Sequence, residues 1–235
     1  MKKFELTEEF IYYNSVKLFR IKALIDFADV KADDLGGFIE KEANLVMEGN
    51  AWVYGNAIVY GDAIVYGDAK VYGNAIVYGN AKVRGNAKVY SDAKVYGNAE
   101  VYGYAEVYGY AWVYGNAEVY GYAEVYGNAE VYGYAEVYGY AWVYGNAIVY
   151  GNVEVRGNAK VYSDAKVYGD KKRNKGFIFM NKTITCCFCE KTVELTDDCQ
   201  VLFGKDVCPE CARNLTRLVN KMMVEEDSKK EGQDA

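Results

Sequence analysis

The residues of this 235-residue chain that could do chemistry fall in two places. Towards the C-terminal end, Cys186-Cys187-Phe188-Cys189 is followed, after eighteen residues, by Cys208-Pro209-Glu210-Cys211. This is C-x2-C-x18-C-x2-C, and two such knuckles can set four thiolates tetrahedrally at about 2.3 Å around zinc. The expectation is a structural Zn2+ site with Cys186, Cys189, Cys208 and Cys211 as ligands. A segment this small lacks the core to fold unaided, so the metal would supply its stability. Cys187 and Cys199 are spare and read as free thiols, Cys187 able to replace a neighbour.

The second place is a run of carboxylates. Between Asn98 and Val155 there are seven Glu and no Lys, Arg or Asp. Basic residues flank them, Lys70, Lys82, Arg84, Lys88 and Lys94 before and Arg156, Lys160 and Lys166 after. Two carboxylates can hydrolyse a glycoside when their environments separate their pKa values, but equivalent stacked Glu offer no such separation. The chain has no histidine at all, so the usual general base near neutral pH is missing. No serine or cysteine of this region stands beside a base, and each Gly belongs to a turn rather than to a phosphate loop. No catalytic residue is assigned, and a non-enzymatic protein is expected.

These residues are carried by one hexapeptide, V-Y-G-N-A-x. Valine holds phase at every sixth position from Val53 to Val167, twenty successive repeats. A fixed period must be explained first, and six is neither helical nor a simple alternation. A-x-V-Y reads as a short strand and G-N as a corner, because Gly and Asn tolerate positive φ. Strand and corner without helix give a solenoid with Val and Ala inside, and with Tyr and the variable residue outside. Three hexads per triangular coil make eighteen residues, so twenty repeats give about seven coils stacked at roughly 4.8 Å.

Adding eighteen reads the outer columns. Glu100, Glu118, Glu136 and Glu154 form a ladder on one side, and Tyr104, Tyr122 and Tyr140 stack at one corner. Like charges at strand spacing repel, so the ladder reads either as an acidic surface for a basic protein or as a by-product of duplication. The segment 100–116 recurs at 130–146, thirty residues on, which favours copying. The Tyr columns read first as structural aromatic stacks on a β surface. Trp52, Trp112 and Trp142 fall at outward positions, where large aromatics anchor interfaces, and Trp112 and Trp142 join the candidate partner-binding set.

The ends frame the repeat. Residues 16–24 alternate as a strand that pairs with 9–13 across Asn14-Ser15, and residues 1–38 read as a cap over the solenoid's open edge. The hexad phase begins early, at Ile39 and Leu45, with Gly37 and Ala43 as inward small positions. The expected division is a cap at 1–38, a β-helix at 39–170, a basic linker at 171–176, a metal module at 177–224 and a charged, disordered tail at 225–235. Residues 213–224 carry Leu215, Leu218, Val219 and Met222 at helical spacing. There is no apolar run near eighteen residues and the start is too acidic for a signal peptide, so a cytoplasmic, non-membrane protein is expected. A net charge of −6 argues against broad nucleic-acid binding, and only the metal module leaves it open.

Two resemblances follow from these residues. The lead-in at 20–45, R-I-K-A-L-I-D-F-A-D-V-K-A-D-D-L-G-G-F-I-E-K-E-A-N-L, with the G-N-A-W-V-Y repeats behind it, resembles a phage and prophage family of hexapeptide-repeat proteins, often described as transferases. It implies that the all-β solenoid is a left-handed parallel β-helix of viral or prophage origin, in the cytoplasm of a bacterial host. The cysteine segment resembles a zinc ribbon or treble clef, a small α+β module with a turn at Phe203-Gly204-Lys205-Asp206; a rubredoxin-like iron site is the alternative. The expected function is a solenoid that binds a host or phage protein, in its sharpest form inhibiting a host defence protein. An acyltransferase-like enzyme lacking the usual histidine and a structural spacer are the alternatives. Trimerisation through a flat, Tyr-rich side is the expected homo-oligomer.

Overall fold

The computed structural model describes residues 2–170 and five further strands, Lys175–Phe179, Thr183–Thr185, Thr192–Glu194, Gln200–Leu202 and Lys205–Val207; side chains are described as far as Tyr168. The chain divides into two compact units, Met1–Ile178 and Phe179–Ala235.

The first unit begins with an antiparallel hairpin, β1 (Phe4–Tyr13) and β2 (Val16–Ala23). Asn14 and Ser15 between them have φ of 47° and 66°, the two left-handed residues of a tight hairpin turn. β3 (Leu35–Ile39) pairs antiparallel with β2 on one side and parallel with Ile58–Val59 on the other. The chain changes there from hairpin to solenoid.

From Trp52 on, each hexad contributes one short strand, and every third strand pairs in parallel register, eighteen residues apart. Three parallel sheets result. We call them face 1 (outward residues Trp52, Lys70, Lys88, Glu106, Glu124, Trp142, Lys160), face 2 (Ile58, Ile76, Lys94, Trp112, Glu130, Ile148, Lys166) and face 3 (Ile64, Lys82, Glu100, Glu118, Glu136, Glu154). About seven turns stack in this way, so the expected three-hexad coil is what forms. Repeat valines and alanines from Ala51 to Val149 line the interior, fully buried apart from the outward residues between them. Burying such branched and small side chains, at about 25 cal/mol per Å2, is what holds short two-residue strands together.

The corners need Gly for a steric reason as well as a conformational one. At Gly103 φ is +73°, and an added Cβ would meet the backbone N of Gly121 at 3.0 Å. Ser91 and Ser163 are the two corners where a side chain is accommodated at φ of 60° and 57°.

Coil stacking leaves orphan backbone groups at the first coil. Backbone N–H groups of each coil donate to carbonyls of the next, as Trp52 does to Ala69, so the carbonyls of the first coil need donors from elsewhere. The cap supplies them. Backbone N–H groups of Phe38, Glu40 and Val46 donate to Ala57, Val59 and Val65. Three side chains serve the corners: Lys3 Nζ donates to the carbonyls of Val46 (2.9 Å), Gly49 (3.3 Å) and Ala51 (3.0 Å). Arg20 Nη1 donates to Gly55 (3.3 Å), and Asn44 Nδ2 to Gly61 (3.0 Å) and Ala63 (2.8 Å). Lys3 and Asn44 are buried, and burial pushes the Lys3 ammonium down to about 8 against the pull of Glu48.

Three details differ from the sequence expectation. Trp52 is buried, not exposed, because Phe4 and Phe27 of the cap pack edge-on against it. Ala43 is exposed, and the buried residue there is Asn44, whose amide is needed by the corner carbonyls. The hairpin also covers the outside of face 2, burying Ile58 and Ile76 with Leu18 and Phe38 beneath Ile11, Tyr13 and Val16.

The second unit shows two antiparallel hairpins, Thr183–Thr185 with Thr192–Glu194 and Gln200–Leu202 with Lys205–Val207. The expected helix at 213–224 and the charged tail lie outside the described residues. The expected zinc-binding α+β module is corrected: among the described residues no group of three or more His, Cys, Asp or Glu is placed to hold a metal ion. Knuckle spacing makes a site only where both pairs converge. Cys186, Cys189, Cys208 and Cys211 lie outside the described residues, and neither Zn2+ nor iron is assigned. The all-β architecture is therefore a parallel solenoid with an N-terminal cap. Among the described residues no helix is long and apolar enough to cross a membrane.

Candidate functional site

The middle coils bring the expected residues together. On face 3, Glu100 pairs in register with Glu118, Glu118 with Glu136 and Glu136 with Glu154. The repulsion between these neighbours has a counterpart that sequence reading missed. A tyrosine sixteen residues earlier, on the preceding coil, donates its hydroxyl to the carboxylate. Tyr102 reaches Glu118 at 2.8 Å, Tyr120 reaches Glu136 at 3.0 Å and Tyr138 reaches Glu154 at 2.7 Å. The same diagonal recurs on the other faces, with Tyr90 to Glu106 at 2.9 Å, Tyr108 to Glu124 at 2.8 Å and Tyr114 to Glu130 at 3.1 Å.

The basic flank closes the lower end. Lys82 (2.9 Å) and Arg84 (3.2 Å) both pair with Glu100, and Lys88 pairs with Glu106 at 2.7 Å. Burial works against ionisation of Glu100, but the hydrogen bonds from Lys82 and Arg84 hold its carboxyl below the ordinary range. Arg156 approaches Glu154 at 3.9 Å. The charge of Glu118, Glu124 and Glu130 is thus met by tyrosine hydroxyls, which stabilise an anion without neutralising it.

The donors are themselves stacked. On face 2 seven tyrosines follow one another from Tyr60 to Tyr168, with ring centroids 4.8–5.3 Å apart. On face 1 six run from Tyr72 to Tyr162, and on face 3 Tyr102, Tyr120 and Tyr138 stack behind Arg84, whose guanidinium lies 3.9 Å from the Tyr102 ring centroid. Burial, then the hydrogen bond to Glu118, pushes the Tyr102 hydroxyl well above its usual pKa, and Tyr108 and Tyr120 respond in the same way to Glu124 and Glu136.

Tyr104, Tyr122 and Tyr140 form a separate ridge at the corner between face 3 and face 1. Their rings stack 5.0 Å apart and are 54%, 50% and 60% exposed. Most other corner positions carry Asn or Asp, linked by side-chain hydrogen bonds such as Asn80 to Asn98 and Asn98 to Asn116, and Tyr110 and Tyr134 are single rings at the other two corners. Two residues from the ridge lie Glu106 and Glu124 on face 1 and, through Tyr102 and Tyr120, the ladder on face 3. Trp142 follows Tyr140 on face 1, half-buried, with Lys160 Nζ 4.3 Å from its ring centroid. Trp112 stands apart from the ridge, exposed on face 2 with Lys94 Nζ 4.9 Å away.

Fold and repeat together define the class: a parallel β-solenoid of about seven turns. Within it, residues 49–68 and 69–86 match the family model described as the YdcK beta solenoid repeat. The expected resemblance to phage hexapeptide-repeat proteins is corrected by this match. The small–x–aliphatic hexad is imposed by the geometry of any three-sided coil, so it does not separate families. The lead-in at 20–45 is largely cap chemistry, with Arg20 and Asn44 serving corner carbonyls. No curated protein matches the chain.

Proposed function

We propose that this chain is a non-catalytic binding scaffold whose middle coils dock a protein with a basic surface. The observation that carries the proposal is the Tyr104–Tyr122–Tyr140 ridge, more than half exposed on average and flanked on both sides by carboxylates. Asn suffices at equivalent corners, so folding does not require rings there. Rigid aromatic area beside negative charge is the composition of a surface that anchors a partner and steers it electrostatically. The absence of histidine and the engagement of the ladder carboxylates by tyrosines support a role without catalysis. Inhibition of a host defence protein is the sharpest form of this reading; capture of such a protein from host lysate on the immobilised chain, with loss of its activity, tests it.

The test is salt and charge dependence of the captured complex. Replacing Glu118, Glu124 and Glu136 by Gln should weaken binding by about tenfold or more and flatten its dependence on ionic strength. Unchanged affinity would remove the carboxylates from the interface. Recovery of the chain alone, as a trimer, would replace the reading with self-association.

A further inference from the structure

A second feature lies on another face and does not depend on the ridge. A cleft of about 560 Å3 opens on face 2 where the β1–β2 hairpin stops covering it, with Tyr13 and Ile76 at that end. Tyr110 and Trp112 form its aromatic walls, and Asp92, Lys94, Asn128 and Glu130 supply polar groups. The volume lies within the range of small-molecule sites, which combine apolar walls with a few placed polar groups.

Tyr110 is the informative residue. It is 64% exposed, and the corner positions one coil below and above it are the short Asp92 and Asn128. At Tyr122, by contrast, both coil neighbours are tyrosines stacked 5.0 Å away. The Tyr110 corner therefore leaves ring-sized slots where stacked rings would stand. At the base of each is a carboxylate or a carboxamide. Asp92 already accepts from Asn74 Nδ2 at 3.1 Å, which orients it and leaves further lone pairs to accept from a ligand.

Charge selects the ligand class. Lys94 lies over Trp112 at 4.9 Å, so the cation place beside that ring is filled by the chain itself. Two carboxylates against one ammonium disfavour phosphates and other anions. What remains is a neutral ring with an apolar face and hydroxyl groups on its rim. We propose that this cleft binds a neutral pyranose of an oligosaccharide, stacked on Tyr110 and hydrogen-bonded by Asp92 and Asn128.

The test is saturation-transfer NMR on the full chain with maltohexaose, cellohexaose and the hexamer of N-acetylglucosamine as probes. At least one should receive saturation, and Tyr110→Ala should weaken it by about tenfold, the equivalent of one lost aromatic stack. Tyr134→Ala, which removes a corner ring 65% exposed outside this cleft, should leave the signal unchanged. Silence from all three probes, a signal that survives Tyr110→Ala, or an equal loss in Tyr134→Ala would overturn the proposal. Both substitutions remove exposed rings, so an unchanged thermal transition confirms that the fold is kept.

Discussion

The decisive residues are those that finish what the repeat leaves unsatisfied. Lys3 is the clearest, a buried ammonium donating to the carbonyls of Val46, Gly49 and Ala51 where the cap meets the first coil. Lys3→Met should lower stability by about 2 kcal/mol, the cost of buried acceptors left without donors, as read by chemical unfolding. Lys2→Met, which removes only an exposed ion pair to Glu42, should change little. An equal effect of the two would refute the capping role. The Tyr–Glu diagonals are testable in the same way. A double-mutant cycle of Tyr102→Phe and Glu118→Gln should return a coupling of about 1 kcal/mol, and a coupling near zero would make the contact incidental.

At the scale of the element, the tyrosine columns are the outer counterpart of the valine core. Burial and neighbouring rings push the Tyr78 hydroxyl up to about 12, and Tyr90, Tyr102, Tyr108 and Tyr114 are raised by burial and by their carboxylate partners. A folded pKa above the unfolded value of 10 gives stability that is fully present below pH 10. It is lost as pH rises through the folded value, because the unfolded chain then holds fewer protons. The solenoid should therefore unfold cooperatively between pH 10 and 12 or above, with tyrosinate absorbance rising together with loss of β circular dichroism. Gradual ionisation at pH 10 with the fold retained would contradict it. Much of this element was legible in the sequence. The period of six set strand, corner and inward Val and Ala, and adding eighteen found the face 3 ladder and the Tyr104 ridge. The sixteen-residue diagonal was not visible, because a column reading pairs only equivalent positions. Lys3 and Asn44 were invisible for a related reason: orphan carbonyls belong to the coil edge, and no local pattern marks them. Trp52 misled because its hexad position is outward, and only the folded cap shows that outward is not exposed there.

At the scale of the whole molecule, a monotonous inside supports a zoned outside. The cap ties off one end, basic side chains meet the first carboxylates, and the middle coils present tyrosine and glutamate at one corner. The cysteine spacing reads as metal chemistry, but among the described residues no group is placed to hold a metal ion, and the four cysteines lie outside them. What these surfaces would do rests on whether the Tyr104–Tyr122–Tyr140 ridge is an interface. The most direct measurement compares the wild-type chain with the Tyr104→Ser, Tyr122→Ser, Tyr140→Ser variant in a binding titration against a captured basic protein partner. The expected result is an affinity loss of about a hundredfold with an unchanged thermal transition. Equal affinity of the two proteins for that partner would contradict it.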